Sequence, residues 1–419
     1  MPLSLCRRAR HLAAMHAPTP PRHDVGFREF VALIAALMAM TALQIDTMLP
    51  ALPAIGHSLH VANPNDRQWV ISAFMFGFGA AQIVHGPLSD RFGRRPVLLI
   101  SLAFGVICNL TAAVAATFPL LLAARVAAGV ATASSRVLAT SIVRDRFVGN
   151  AMARVMSLVT IVFMVVPIAA PNLGQLILWI APWRWIFYVL TAAGLLTFLW
   201  SAIRLPETLD PANRLPLSVR RIGEGFRFVL MDRLALGYTI GSTALQGGLF
   251  GFLLSVQQIF ESEFHAVNLF APVFSAMAAT MAAAAFLNSR IVMRFGARAV
   301  SHRAVIGYTV FATLHLALAL AGLETVLTFA VLQALMMSCF GLAGANFGAI
   351  AMEHMGRLAG TASSVQGLIQ TIGGISIGAA IGAAFNGSTV PLYTGFTLSG
   401  LAAIAAVAFA ERGKLFGRS

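Results

Sequence analysis

Residues 86–96 read GPLSDRFGRRP, and this stretch lies between two long apolar runs. It contains one acid, Asp90, together with three arginines and two glycines, and it ends on a proline. A shorter version, MRFGAR at 293–298, follows about two hundred residues later, close to half the chain length. A charged loop that recurs half a chain later between apolar segments indicates a membrane protein built from two related halves.

The composition argues against an ordinary soluble protein. Of the 419 residues, 58% are hydrophobic and only 11% are charged, whereas about 25% of the residues in a soluble domain are charged. Apolar stretches of about 20 residues, long enough to cross a bilayer, recur along the whole chain. We therefore predict an all-α polytopic membrane protein that lies in the lipid bilayer.

The net charge of +14 does not indicate a nucleic-acid partner. The basic residues are almost all arginines, and they fall in alternate short loops, which is the pattern of the positive-inside rule. The three cysteines, Cys6, Cys108 and Cys339, lie far apart and lack the spacing of metal ligands. We expect no metal site, no disulfide framework and no cofactor.

Twelve helical spans are predicted, in two groups of six. Their approximate bounds are 28–49, 68–88, 96–117, 119–141, 155–178, 184–203, 234–258, 268–288, 300–321, 325–347, 361–384 and 390–410. The longest polar interruption, 204–233, is the expected linker between an N-terminal bundle (28–203) and a C-terminal bundle (234–410). Residues 1–27 and 411–419 are the expected terminal tails.

The arginines predict the orientation of these spans. Of the lysines and arginines, only Arg67 and Arg184 fall in the loops of one side, while Arg125 and Arg136 lie within the fourth span. The remaining basic residues fall on the other side, which the positive-inside rule identifies as cytosolic. Both tails and the linker are then cytosolic, and the expected location is the cell inner (plasma) membrane. Residues 1–24 lack the apolar core of a secretory signal peptide.

The loop at 86–96 resembles the signature of the major facilitator superfamily, which has the form G-x-L-x-D-R-x-G-R-[KR]-x. Every fixed position is filled, by Gly86, Leu88, Asp90, Arg91, Gly93, Arg94 and Arg95. Further segments resemble the bicyclomycin/chloramphenicol-resistance (Bcr/CflA) branch of the drug:proton antiporters. They are DTMLPALPAIG (46–56), RDRF (144–147), WRWIF (183–187), LPETL (205–209) and AGTASS (359–364).

This resemblance implies a fold, a mechanism and a set of partners. The fold would be two pseudo-symmetric six-helix bundles, and transport would proceed by alternating access. The implied function is proton-coupled efflux of drugs or small amphiphilic compounds across the inner membrane. The implied partners are a small-molecule substrate and protons, and we expect a monomer.

The fifth span departs from the antiporter motif of this group, which has the form G-x-x-x-G-P-x-x-G-G. The corresponding residues, VPIAAPNLGQ at 166–175, keep Pro171 and Gly174 but lack the other glycines. Proline bends a helix, so Pro167 and Pro171 are expected to supply a bend in this span. The missing glycines leave the direction of transport open.

Asp46 and Arg125 are the predicted proton-coupling residues. Asp46 is the one carboxylate placed inside a predicted helix core, in the extracytoplasmic half. A carboxyl group inside a membrane marks a functional site, and a proton carrier must be able to hold a proton near neutral pH. Arg125 lies at a similar depth in the fourth span, and the family's arrangement places both spans around the central cavity. We expect an ion pair that protonation of Asp46 weakens, although a purely structural bridge remains an alternative.

The loop at 86–96 is predicted to act as a gate. The superfamily implies that Asp90 lies near the start of the eleventh span, at Gly360 and Thr361, while the arginines reach Asp145. The predicted gating residues are Gly86, Asp90, Arg91, Gly93, Arg94 and Asp145. In the second copy Met293 replaces the acid, so we expect that copy to keep the turn without the gate.

Polar and methionine side chains on three spans are the predicted lining of the substrate cavity. Such side chains suit varied and mostly uncharged compounds, because methionine adapts to different shapes. The predicted lining residues are Gln44, Tyr238, Ser242, Gln246, Gln333, Met336 and Asn346. The alternative for each residue is hydrogen bonding between helices.

Three further polar residues receive a structural interpretation. His315 is flanked by apolar residues and is interpreted as part of the helix packing. Glu324 falls outside the predicted spans and is expected to be solvated. Arg136 is expected to extend its charge toward the cytosolic surface.

The competing functions are an importer and an enzyme. A proton-coupled importer of a sugar or another nutrient fits the same scaffold. A membrane enzyme has little support, since the sequence shows no nucleophile–base motif and no metal-ligand cluster. No Walker-type GxxxxGK[ST] motif is present to indicate ATP as the energy source.

Overall fold

The computed structural model describes residues 25–216, 218–355 and 359–416. Within these ranges, twelve helices are long and apolar enough to cross a membrane, as predicted. We call them the first to twelfth spans. They are Phe27–Asp46 with its continuation to Ser58, Trp69–Phe92, Arg94–Ala113, Phe118–Arg146, Gly149–Ile180, Arg184–Arg204, Arg233–Ser262, Val267–Phe295, Ala297–Leu320, Val326–Ala351, Ala359–Ala383 and Val390–Ala410.

Several helices extend beyond the predicted spans. The fourth runs to Arg146 rather than 141, and the fifth begins at Gly149 rather than 155. The prediction followed the apolar residues alone. Helical hydrogen bonding does not stop where the apolar residues stop, so these helices continue into polar residues at one end of the bundle.

The first span is broken rather than ended near residue 49. Its main helix ends at Asp46, and a 3₁₀ turn, Leu49–Ala51, leads into a short helix, Leu52–Ser58. Pro50 and Pro53 account for the break, because proline lacks the backbone N–H that a continuing helix needs. Asp46 therefore lies at an internal break, twelve residues before the end of the span, and not at its end.

The two copies of the charged loop adopt the same turn. Gly93 follows the end of the second span and Gly296 follows the end of the eighth, with φ/ψ of 102°/154° and 81°/152°. These positive φ values are strained for residues with a side chain. We call the end of the bundle that holds both turns the basic face, and the end that holds the Ser58–Pro64 loop the opposite face.

The two halves pack against each other along two pairs of helices. The second span meets the eleventh, where Gln82 Nε2 donates to Thr371 Oγ1 at 2.9 Å. The fifth span meets the eighth, where Ser275 Oγ donates to the carbonyl of Ile168 at 2.7 Å. This carbonyl lies in the stretch that contains Pro167 and Pro171, and the helix is continuous through both prolines.

The linker between the sixth and seventh spans contains a helix that was not predicted. It comprises Val219–Met231, and a 3₁₀ turn at Pro211–Asn213 precedes it. Gly225 of this helix packs closely on Thr361 of the eleventh span. The linker is thereby attached to the C-terminal bundle at the basic face.

Small residues allow the seventh and eleventh spans to approach closely. A Cβ atom on Gly378 would lie 2.6 Å from Phe250 Cβ and 2.8 Å from the backbone nitrogen of Gly251. Close backbone approach through small residues is a usual way of packing helices in lipid. By contrast, a Cβ atom on Gly348 of the tenth span would meet nothing within 4 Å.

We predict that Gly378→Ala destabilises the protein whereas Gly348→Ala does not. Both changes favour a helix intrinsically, by about 0.5–1 kcal/mol, but the first overpacks a tight contact at a cost of about 1–3 kcal/mol. Thermal unfolding of the purified variants in detergent measures the difference. Equal midpoints for the two variants would contradict the close packing described here.

Candidate functional site

Asp46 is a buried carboxylate without a partner. Asp46 is 5% exposed, and its carboxylate makes no hydrogen bond or ion pair with the residues that the structure describes. An ionised carboxylate inside a membrane is unfavourable unless it is paired or faces water. The position at the break of the first span and the lack of a protein partner distinguish Asp46 from a structural acid.

Arg125 is fully buried and is held by the first and second spans. It donates to Gln44 Oε1 at 2.8 Å, to the Gln44 carbonyl at 2.8 Å and to the Val70 carbonyl at 3.0 Å. Its guanidinium also lies 4.5 Å from the centre of the Phe74 ring. These contacts satisfy much of the charge without a carboxylate.

The predicted ion pair between Asp46 and Arg125 is therefore absent from this conformation. Residues two apart on a helix point about 200° apart, so a helix that turns Gln44 toward Arg125 turns Asp46 away from it. The similar depth of the two residues was anticipated, but the direction of the Asp46 side chain was not considered. Gln44 also belongs to this contact, and not to the lining of a cavity.

Most of the other predicted cavity residues lie inside the C-terminal bundle. The Tyr238 hydroxyl contacts His302 Nε2 and donates to Glu411 Oε1, both at 2.8 Å. Asn346 exchanges side-chain hydrogen bonds with Asn288 at 2.9 and 3.2 Å. These residues were placed in the cavity because they are polar, yet their polar atoms are used within the bundle.

Three more of these residues are buried, and only Gln246 stays a candidate for the lining. Gln333 is buried against Tyr393, whose hydroxyl donates to it at 3.3 Å, and Met336 is fully buried. Ser242 is buried with a hydroxyl that lacks a partner among the described residues. Gln246 is partly exposed.

At the basic face, Arg94 connects the two predicted acids. Its Nη1 donates to Asp90 Oδ1 at 2.5 Å, and its Nε donates to Asp145 Oδ2 at 3.0 Å. The side chain of Arg94 is almost completely buried between them. Arg91 does not join this network and instead lies 5.5 Å from the ring centre of Phe92.

Glu207 completes this network, and sequence reasoning did not assign it a role. Its Oε1 accepts from the backbone nitrogen of Arg94 at 2.9 Å, and its Oε2 accepts from that of Arg95 at 3.3 Å. Both nitrogens belong to the first turn of the third span, where free N–H groups attract a carboxylate. A Cβ atom on Gly93 would overlap Glu207. The sequence signal that could have indicated this role is the single acid in the LPETL segment, which follows the sixth span.

The predicted contact between Asp90 and the start of the eleventh span is not seen. The backbone carbonyl of Asp90 accepts from Leu215 of the linker at 3.0 Å, and the Asp90 side chain binds Arg94. Gly86 lies nearer to the eleventh span, because a Cβ atom there would be 3.8 Å from Ser364 Oγ. Residues 356–358, which precede that span, lie outside the described ranges.

The C-terminal half contains an ionic network beside its own copy of the turn. Arg298 donates to Glu353 at 2.7 Å and to Glu411 at 2.8 Å. Glu353 corresponds in position to Asp145. Each acid lies the same number of residues after the start of its helix, at Val326 in the tenth span and Phe118 in the fourth. The acid missing at Met293 is thus replaced by acids from the ends of two other spans.

At the opposite face, hydrogen bonds join the two halves directly. Gln68 Nε2 donates to Gln258 Oε1 at 2.7 Å, and Gln258 Nε2 donates to the Pro64 carbonyl at 2.8 Å. Asn65 Nδ2 donates to the Phe385 carbonyl at 2.9 Å. Arg67 also lies 3.5 Å from Glu261. The two halves are therefore closed against each other at this face, and sequence reasoning did not predict these contacts.

His315 and Glu324 form a buried pair, which corrects the solvated position expected for Glu324. His315 Nε2 lies 2.6 Å from Glu324 Oε1, and the two side chains are 0% and 3% exposed. Thr389 donates to the other carboxylate oxygen, and the His315 ring stacks on Tyr393. The loop that carries Glu324 folds inward, which hydropathy cannot show.

Twelve spans in two bundles, with an unpartnered carboxylate at a break in the first span, are the features of a membrane transporter. The family comparison agrees with this class. A family model described as Major Facilitator Superfamily matches residues 32–379. The chain belongs to the major facilitator superfamily, a family of transporters, and it is a multi-pass membrane protein whose family implies a small-molecule substrate.

One relative is similar over most of the chain and another over less than half of it. A bicyclomycin resistance protein homologue of Haemophilus influenzae is 28% identical over 91% of this chain and 95% of its own length. The multidrug resistance protein MdtL of Klebsiella pneumoniae is 33% identical over 42% of this chain and 45% of its own. Both names agree with the resemblance to the bicyclomycin/chloramphenicol branch.

Solved structures support the fold. A partially occluded, inward-open structure of the xylose transporter XylE from Escherichia coli covers 93% of this chain and 99% of its own. Its TM-score is 0.73 at 12% sequence identity. The architecture of two six-helix bundles predicted from the sequence is thereby confirmed.

We predict that Gln258→Leu loosens the closed contact at the opposite face. The reporter is a cysteine at buried Ser255, one turn deeper in the seventh span, in a protein whose three native cysteines are replaced. Loss of the bonds to Gln68 and Pro64 should speed maleimide labelling of this cysteine several-fold.

The matched control for this experiment is Gln257→Leu. Gln257 bonds only to Glu261 of its own helix, at 3.4 Å, among the described contacts, so its loss should leave labelling unchanged. If both variants label at the same rate as the parent, these hydrogen bonds do not hold the opposite face closed.

Proposed function

We propose that this protein exports drugs or small amphiphilic compounds across the inner membrane in exchange for protons. Membership of the superfamily and the names of the relatives support export, and the burial of Asp46 without a partner is the observation that carries proton coupling. The basic face is the cytosolic face in this proposal, since arginines concentrate there. Both termini and the linker are then cytosolic, and the protein acts as a monomer.

In the proposed cycle, Asp46 binds the proton. Its neutral form is favoured while it is enclosed by apolar helices, and its charged form is favoured when the halves open toward water or a substrate. Rocking of the two halves about the central site exposes Asp46 to each side in turn. The break at residues 47–51 gives this part of the first span room to adjust, because its backbone is not held by a continuous helix.

The role proposed for Arg125 is to position Asp46 rather than to neutralise it. Two of its hydrogen bonds end on Gln44, two residues before Asp46 in the same helix. Removing the guanidinium would leave the Gln44 carbonyl without this partner and free the end of the helix. Arg125 thus contributes to coupling through the geometry of the first span.

Proton movement can supply enough energy for this export. One proton that crosses a potential of ~150 mV releases about 3.5 kcal/mol, at 2.3 kcal/mol per 100 mV. At 1.4 kcal/mol per decade, this sustains a roughly 300-fold substrate gradient. A pH gradient would add to this value, so a nucleotide is not required.

At the basic face, the network of Arg94, Asp90, Asp145 and Glu207 is proposed to act as part of the gate. It ties the second, third and fourth spans to the linker. Gly86 and Gly93 permit the close packing and the turn, while Arg91 contributes to the basic surface. Pro167, Pro171 and Gly174 are proposed to shape the fifth span, where Gly174 lies against the backbone of Thr47.

The export proposal is tested by drug accumulation in cells. A panel of amphenicols, bicyclic peptides, sulfonamides and organic cations should include compounds that accumulate less in cells that express the protein. A protonophore should reverse this difference. Unchanged accumulation across the whole panel would contradict export, and increased accumulation of a nutrient would favour the importer.

We predict that Asp46→Asn abolishes proton-driven export and leaves the protein folded. The amide cannot release a proton, so a proton gradient imposed on proteoliposomes should no longer drive movement of the drug. Asp66→Asn, which changes an exposed acid at the opposite face, is the matched control and should transport normally. Export at the parental rate by Asp46→Asn would remove Asp46 from the mechanism.

We predict that Asp90→Ala slows the exchange between conformations several-fold without changing substrate affinity. The variant removes one of the two acids that hold Arg94, so the cytosolic ends of the second and fourth spans are held together less firmly. Drug counterflow in proteoliposomes measures the rate. Asp210→Ala removes an exposed linker acid that caps Ala212, and it should have no effect. Parental turnover in Asp90→Ala would mean that Asp90 only anchors the loop.

A further inference from the structure

Arg136 is an intramembrane charge without a protein partner. It lies in the fourth span ten residues before the end at Arg146, about 15 Å along the helix from the basic face. Its side chain is exposed, and its guanidinium forms no hydrogen bond or ion pair with the residues that the structure describes. Arg144 lies about 12 Å further along the helix, so Arg136 is not part of the basic surface.

The side chain of Arg136 projects from the helix face that also carries Arg125. The two residues are eleven positions apart, which is three turns of the helix and only about 20° of rotation. Arg125 reaches between the first and second spans to Gln44 and Val70. Arg136 therefore faces the same gap three turns closer to the basic face, where its exposure shows that the first and second spans do not close over it.

This gap opens toward the other half of the molecule. Gln82 of the second span lies at the depth of Arg136, ten residues before the end of its helix at Phe92. Its amide donates to Thr371 of the C-terminal half at 2.9 Å. The second span thus borders the C-terminal half at this depth, and the gap beside it leads into the space between the halves.

Other polar groups at this depth also lack partners. The Ser242 hydroxyl of the seventh span has none among the described residues, and Ser242 is only 9% exposed. Ser242 lies nine residues from the start of its helix at Arg233, about 14 Å from the basic face. The Ser135 hydroxyl, next to Arg136, is buried and unpartnered as well.

No acid on the described spans is placed to neutralise Arg136. Asp46 is the acid inside the membrane. Counted in residues from Phe27 and Arg146, the ends of the two helices at the basic face, Asp46 lies about 13 Å further from that face than Arg136 does. An arginine inside a membrane requires a partner or water. A bound anion would supply the missing partner through charge-assisted hydrogen bonds.

We propose that Arg136 binds the anionic group of the exported compound, a carboxylate or sulfonate, in the space between the halves. This inference rests on the proposed export function and specifies its substrate class as acidic or zwitterionic amphiphiles. The anionic group lies against the guanidinium of Arg136, while the apolar body of the compound extends toward Asp46.

Three fluorescent probes with the same dansyl group test the charge preference. They are dansyl-γ-aminobutyric acid, its carboxamide and the amine dansylcadaverine, each titrated against the purified full-length protein in lipid nanodiscs without a proton gradient. The parent should bind the acid at least about tenfold more tightly than the amide, because only the acid pairs with Arg136.

Arg136→Gln should remove this preference and leave affinity for the amide unchanged. Arg136→Lys keeps a charge and should retain part of the preference. Arg290→Gln is the matched control, because Arg290 is an exposed arginine within the eighth span that lies 5.4 Å from the centre of the Phe286 ring. This control should bind all three probes like the parent.

Three results would overturn the proposal. The first is a parent that does not favour the acid, and the second is an Arg136→Gln variant that keeps the preference. The third is an Arg136→Gln variant that loses affinity equally for all three probes. The export proposal can be judged separately, since binding is measured without transport.

Discussion

The buried guanidinium of Arg125 is the constraint on which the N-terminal half depends. It joins the fourth span to two backbone carbonyls and one amide of the first and second spans, inside a region that offers no water to replace those bonds. The carbonyl of Gln44 lies near the end of a helix that two prolines interrupt. The orientation of Asp46, two residues further along the same helix, follows from this contact.

Each half also contains its own ionic network at the basic face, and the two networks resemble each other. Arg94 meets Asp145, while Arg298 meets Glu353 and Glu411. These pairs lie within a half, whereas the bonds between halves at the opposite face are mostly between neutral amides and carbonyls. Strong pairs inside each half and weaker contacts between the halves suit a molecule whose halves move as rigid bodies.

The sequence predicted the fold well because hydropathy and the recurrence of a glycine turn are properties of consecutive residues. The number of spans and the turn at Gly296 follow from local patterns, whereas the contact of Arg94 with Asp145 was implied by the resemblance to the superfamily. The pair of Asp46 and Arg125 was wrong because depth was considered without rotation about the helix. Glu324 and Tyr238 were misplaced for a different reason, since their partners come from helices that only the tertiary fold brings together.

The carboxylate of Glu207 has a consequence for how this chain could be divided into two. It belongs to the linker by position, yet it caps the third span, and Leu215 binds the backbone of Asp90. The helix that begins at Val219 packs on the eleventh span instead. The mechanical boundary between the halves therefore falls after Leu215 and before Val219, and two separately synthesised fragments would reassemble best if the break were made there.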